Sequence, residues 1–83
     1  HRHIVAHRWS LNGEHRLIFV NLSPERAQAL TPIDILTLAG QDWRLDDVLN
    51  NASYVRRGDE MVGTGLYIDL PGYGYHLFEV HGA

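Results

Sequence analysis

The sequence predicts a small all-β domain, an antiparallel β-sandwich or Greek-key barrel of seven to eight strands. Three observations carry this. Apolar residues recur with a period of two far more often than 3.6. Turn signals fall every 8–12 residues, and no segment has a convincing helical pattern. At 83 residues the chain allows one domain, with a modest core and a stability of about 4–12 kcal/mol.

The first strand runs from Ile4 to Trp9 and the second from His15 to Leu22, separated by Ser10-Leu-Asn-Gly-Glu14. Asn12-Gly13 signals a hairpin, because both residues tolerate the positive φ of hairpin turns. A loop of two residues and one of three with a bulge both fit, and they place opposite faces inward. Leu17-Ile-Phe-Val20 is apolar on both faces, as expected of a covered central strand. A lone sandwich covers one face of each sheet, so one side of this strand should form an exposed apolar patch. Ser23-Pro-Glu-Arg-Ala27 is too short before Thr31-Pro32 to be more than a turn. Residues 28–38 are β-like but interrupted by Pro32, which lacks a donor and favours an edge.

Trp43-Arg-Leu-Asp-Asp-Val-Leu49 is the next extended segment, with Trp43, Leu45 and Asp47 on one side and Arg44, Asp46 and Val48 on the other. Asn50-Asn51-Ala-Ser53 is turn chemistry. Tyr54 to Arg57 reads as a short strand, Gly58-Asp59 as a turn, and Glu60 to Leu70 as a long strand. Gly63 and Gly65 within it suggest a bulge or a close backbone approach. Pro71-Gly72 turns the chain into a closing strand that ends near Val80.

Composition excludes several functions. The net charge is −3 and all seven basic residues are arginine, which argues against a nucleic-acid surface. No stretch approaches the ~20 apolar residues of a membrane span. There is no cysteine, hence no disulfide framework or thiolate metal site. No targeting segment is visible, and a cytoplasmic location is mildly favoured. The chain opens on His1-Arg2-His3, in what reads as a strand, which suggests a piece of something longer.

The chemical constellations are weak. Asp46 and Asp47 are adjacent and point to opposite faces, whereas a glycosidase needs two carboxyl groups about 5–9.5 Å apart. Asp59 and Glu60 sit beside Arg56 and Arg57, where solvated ion pairing is expected. Asp69 precedes a turn whose backbone donors it can cap. No catalytic residue is expected, and neither a cofactor nor a metal. His1, His3 and His7 would share a strand face, with His15 across the hairpin, but no second ligand type accompanies them. Asn21-Leu-Ser23 and Asn51-Ala-Ser53 match the glycosylation pattern, yet fit a strand end and a turn. Trp9, Trp43, Tyr54, Tyr67, Tyr73 and Tyr75 include the candidates for a sugar-stacking platform. Of these, Tyr73, Trp9 and Trp43 are the expected carbohydrate-binding residues, with Tyr73 the most exposed. Both tryptophans also suit core or interdomain packing.

The Arg-Trp hairpin, the segment Ile18-Phe-Val-Asn-Leu-Ser23, Trp43-x-Leu-Asp-Asp-Val-Leu49 and the ending Gly65-Leu-Tyr-Ile-Asp-Leu-Pro-Gly-Tyr-Gly-Tyr-His-Leu-Phe-Glu-Val80 follow one another in order. Over about Val5 to Val80 that order resembles domain C of the α-amylase family of glycoside hydrolases (family thirteen). The resemblance implies a β-sandwich over residues 1–83, excised from the C-terminus of a larger enzyme. The expected function is then a non-catalytic accessory domain that stabilises the catalytic (β/α)-barrel of the same polypeptide and assists binding of an α-glucan such as starch or glycogen. The family's catalytic carboxylates lie in barrel motifs absent here. The alternatives are a free-standing carbohydrate-binding module and a ligand-free interaction domain.

Overall fold

The structure is a computed structural model and describes residues 3–83, with Leu11 and Leu36 described by their backbone alone. Seven strands form two antiparallel sheets in a sandwich-like, all-β arrangement. They are β1 (Ile4–Leu11), β2 (Glu14–Asn21), β3 (Ala27–Thr31), β4 (Asp42–Asp47), β5 (Ala52–Arg57), β6 (Leu66–Leu70) and β7 (Tyr75–Gly82). The larger sheet has the order β1-β2-β7-β4-β5, and the smaller pairs β3 with β6.

Hairpin chemistry fixes the first pairing. Asn12 and Gly13 have φ of 53° and 79°, and Leu11 faces Glu14 directly, so the loop has two residues. That register turns Leu17 and Phe19 inward, each 1% exposed. Across the sheet Leu17 faces Phe78, Leu45 faces Val80, and Asp47 faces Phe78. Leu66, Ile68 and Leu70 close over this face from β6, and the core is completed by Ile33, Ile35, Leu38 and Met61. β2 lies between β1 and β7, the central position that its two apolar faces require. Ile18 and Val20 are half-buried on its outer side.

Three local expectations are corrected. The segment 28–38 does not continue as a strand. β3 stops at Thr31, and beyond Pro32 the chain drops Ile33 and Ile35 into the core before a 3-10 turn at Leu36–Leu38. Pro32 has no N–H to extend the ladder; the next donor, Ile33 N–H, bonds the Met61 carbonyl instead at 2.8 Å. Gly58 and Asp59 begin a helix rather than a simple turn, and the long strand expected over 60–70 is reduced to β6. This helix, α1 (Gly58–Val62), carries Asp59 and Glu60 in its first turn and buries Met61. Acidic residues there complement the N-terminal partial positive charge. The helix places Met61 under the core, which an extended chain of alternating faces would not do together with Leu66. Gly65 makes the close backbone approach: its φ is 116°, and a Cβ would stand 2.8 Å from the backbone of Thr31 and Pro32.

Asn21 ends β2 fully buried. Its Nδ2 donates to the carbonyls of Glu25 (2.7 Å), Pro71 (3.0 Å) and Leu70 (3.3 Å), and its Oδ1 accepts from Ser23 N–H at 2.9 Å. The first glycosylation-like triplet is therefore a structural clamp, with its amide nitrogen already committed. Asn51, in the second, is exposed in a turn with φ of 54°.

Candidate functional site

Asp47 is the buried charge around which the most elaborate polar cluster forms. It ends β4 on the inward face, 1% exposed. The turn that follows folds back so that Leu49 N–H and Asn50 N–H reach Oδ1 at 3.2 and 3.3 Å, while Asn50 Nδ2 donates to Oδ2 at 2.7 Å. His76 Nδ1, from neighbouring β7, lies 2.5 Å from Oδ2. Burial opposes the carboxylate's charge, but the hydrogen bonds from Asn50 and His76 outweigh it and hold Asp47 below the ordinary aspartate range. An ionised carboxylate only accepts, so Nδ1 of His76 carries the hydrogen and Nε2 is left for other partners. The ring also stacks on Phe78, with centroids 5.0 Å apart. Position, tautomer and tilt of His76 are all set.

A carboxylate-oriented histidine is one half of a nucleophilic relay. The other half is missing among the described residues, where no hydroxyl hydrogen-bonds to His76. Asp46 points to the opposite face, where it accepts from Ser53 Oγ (2.7 Å) and Arg44 Nε (3.0 Å). These two bonds hold its carboxyl below the usual range. Asp69 does not cap the turn as expected; Arg26 engages it with a two-pronged ion pair, the main cause of its lowered pKa. Asp59 accepts from Gly40 N–H, and Glu60 pairs with Arg57. Asp46, Asp47 and Glu79 border one open hollow of about 410 Å³, but Asp46 and Asp47 are tied up by Ser53, Arg44, Asn50 and His76, and Glu79 pairs with Arg16.

His76 instead lines a groove of about 340 Å³ on the open side of the sandwich, with Leu45, Tyr54, Arg56, Leu66, Tyr67, Asp69 and Phe78. Leu45, Leu66 and Phe78 belong to the buried core. Tyr54 stands edge-on to Phe78 at 6.1 Å, and the Arg56 guanidinium lies 5.4 Å over the Tyr54 ring. Two of the six aromatic residues singled out in the sequence, Tyr54 and Tyr67, thus meet in one place.

Tyr73, Trp9 and Trp43 do not. Trp9 is 51% exposed on the outer face of the larger sheet, where Arg16 covers its ring at 5.4 Å. Trp43 faces inward at the border of the core, and its Nε1–H donates to the Leu38 carbonyl at 2.7 Å. Tyr73 is 64% exposed in the turn before β7, with a φ of 54° that side chains other than glycine seldom adopt. The histidines are also separated. His7 pairs with Ile18 on the outer face, whereas His15 faces inward opposite Ser10, whose hydroxyl is 2.7 Å from its Nδ1. His1 lies outside the described residues. Among the described residues no group of three or more His, Asp or Glu side chains could hold a metal ion.

The outer face of the larger sheet is divided. At one end Val5, Val20 and Tyr75 stand side by side, next to Ile18 and Leu77. Val5 and Tyr75 are about half exposed. At the other end Arg16 pairs with Glu79, and Asp46 with Arg44 and His81. Sequence parity separated Leu17 and Phe19 from Ile18 and Val20 without saying which pair was surplus; that it is Ile18 and Val20, and which residues of β1 and β7 adjoin them, required the register. Asp47 and His76 are 29 residues apart, and nothing in the local sequence links them. No protein-family model matches this chain, and a search of the curated proteins finds no match.

Proposed function

We propose that this chain is a non-catalytic accessory β-domain of an α-amylase-like glycoside hydrolase acting on α-glucans, and that it stabilises a catalytic barrel in the same polypeptide. The observation that supports the docking role is the apolar end of the outer sheet face, formed by Val5, Ile18, Val20, Tyr75 and Leu77. Interfaces between domains of one chain bury about 600–1,500 Å², and such a patch would supply the dry centre of one. The enzyme assignment rests on the ordered resemblance of the sequence segments. Trp9, Trp43 and Tyr73 share no face, so these three rings offer the binding-module alternative no common platform.

The test uses the double variant Val5→Glu, Tyr75→Glu in the isolated chain and in the complete polypeptide that encodes it. Both positions are half exposed, so the isolated chain should change by no more than about 1 kcal/mol. In the complete polypeptide the unfolding temperature should fall and the protease sensitivity of the domain junction should rise. The isolated chain should release no reducing sugar from starch. An unchanged complete polypeptide would remove the docking role, and a reading frame without an upstream barrel would remove the enzyme assignment.

A further inference from the structure

The groove beside His76 runs along a strand edge that has no partner. β6 pairs with β3 on one side only among the described residues. The groove is lined by Leu66, which faces the core, and by Tyr67 and Asp69, which lie on the opposite face of the same strand; no residue of β3 contributes. A hollow that meets both faces of a strand away from its partner follows that strand's free edge. Here backbone N–H and C=O groups are open to pairing. The floor is the inner face of the larger sheet, at Leu45, Tyr54 and Phe78. Among the described residues two strands lie over five, which leaves room beside β6 for a third strand in the smaller sheet.

Charge narrows the choice of occupant. Among the described residues Arg8, Arg16, Arg26, Arg44 and Arg57 each have a carboxylate partner. Arg56, in the groove, has none: its guanidinium bonds its neighbour's carbonyl, Val55 O, at 2.8 Å and lies over Tyr54. Asp69, the carboxylate lining the groove, is already held by Arg26. The site therefore offers an unmatched positive charge, an apolar floor and a row of backbone hydrogen-bonding groups.

We propose that the groove captures an extended peptide segment of a partner protein, which adds to β6 as the third strand of the smaller sheet. Strand addition uses main-chain hydrogen bonds for affinity and alternate side-chain positions for selectivity. β6 has five residues, so the segment spans about four to six at ~3.3 Å each. Its alternate residues are apolar, toward Leu45 and Phe78, and an acidic side chain meets Arg56. This site is separate from the outer docking face and does not depend on the enzyme assignment.

The experiment titrates the isotopically labelled 83-residue chain with acetyl-VEVEV-amide and, separately, acetyl-VKVKV-amide, followed by amide NMR shifts and hydrogen exchange. The acidic peptide should perturb Leu66–Leu70, Tyr54 and Phe78 saturably and slow exchange along β6. The basic peptide should bind at least about tenfold more weakly, a difference of ~1.4 kcal/mol. Arg56→Glu, at an exposed position, should reverse that preference while the remaining shifts stay in place. Perturbation at the edges of β1 or β5 instead, or no saturable change at millimolar peptide, overturns the proposal. Displacement of the peptide by maltoheptaose would make the groove a sugar site. Concentration-dependent shifts along β6 without peptide would make the occupant a second copy. Either result also overturns it.

Discussion

The sandwich has two flanks, and they are finished differently. On the flank between β1 and β3, residues 32–34 fold across the gap. Ile33 is buried, Asp34 pairs with Arg8 at 3.1 Å, and the hollow that remains measures about 130 Å³. On the flank between β6 and β5 the chain crosses at one end, through α1, and beside it a groove of about 340 Å³ stays open. The aromatic rings there are fixed by each other rather than by covering chain. One flank is sealed by the chain's own loop; the other keeps a charged residue, Arg56, and a strand edge available. Stability and recognition are thus assigned to opposite sides of one core.

Substitutions can break or sharpen this contrast. The largest effect is expected on the sealed side, where Ile33→Ala should cost about 2–5 kcal/mol by lost burial and an unfilled cavity. Urea denaturation measures it, and a cost under about 1 kcal/mol would show the seal to be loose. Next comes the polar cluster beneath the groove. Asp47→Asn sets an amide against the Asn50 amide and His76, at about 2 kcal/mol.

This second variant also carries a pH signature. The Asp47 carboxyl is held below its ordinary range in the folded state, so in acid the unfolded chain binds its proton first. The contribution is complete above the unfolded pKa of about 4 and fades as pH falls through the folded value. Wild-type denaturation midpoints should drop below about pH 4, and Asp47→Asn should flatten part of that limb. An unaltered limb would assign the acid sensitivity to other carboxylates.

Smaller effects come from the open flank and the surface. Tyr54→Ala should cost about 1 kcal/mol, the scale of one edge-on aromatic pair with partial exposure. A loss as large as that of Ile33→Ala would show the open flank to be as tightly sealed as the other. Arg8→Ala should change global stability by about 0–1 kcal/mol, as for other exposed ion pairs. Its trace should be local, as faster amide exchange at Ile33 and Ile35.

The strands that announced themselves in the sequence are those whose faces alternate and whose ends carry turn residues. The Asn12-Gly13 hairpin, the Trp43-Leu45-Asp47 face and the Pro71-Gly72 return belong to this group, because their signals are contained within a few residues. The helix at Gly58–Val62 was hidden for a different reason. Five residues complete little more than one turn, too few for a 3.6 period to register, and burial of Met61 is a tertiary matter. The candidate site was hidden more completely. Tyr54 and Tyr67 could be named as aromatic candidates, but their meeting follows from how far the smaller sheet reaches across the larger one. Asp47 was expected to share a face with Trp43 and Leu45; that this face is the inward one, and that His76 would meet Asp47 there, depended on placing β7 beside β4.

The position of β7 bears on the order in which the chain is made. The final strand lies between β2 and β4, flanked by the two hairpins β1-β2 and β4-β5. Those hairpins can form as they leave the ribosome, but they have no common neighbour until residues 75–82 emerge. Until then Leu17, Phe19 and Leu45 lack the strand against which they pack, and completion waits on long-range pairing, the slow class of folding event. Loss of β7 alone would therefore remove far more than eight residues' worth of structure: it would leave two separate ribbons in place of a five-stranded sheet.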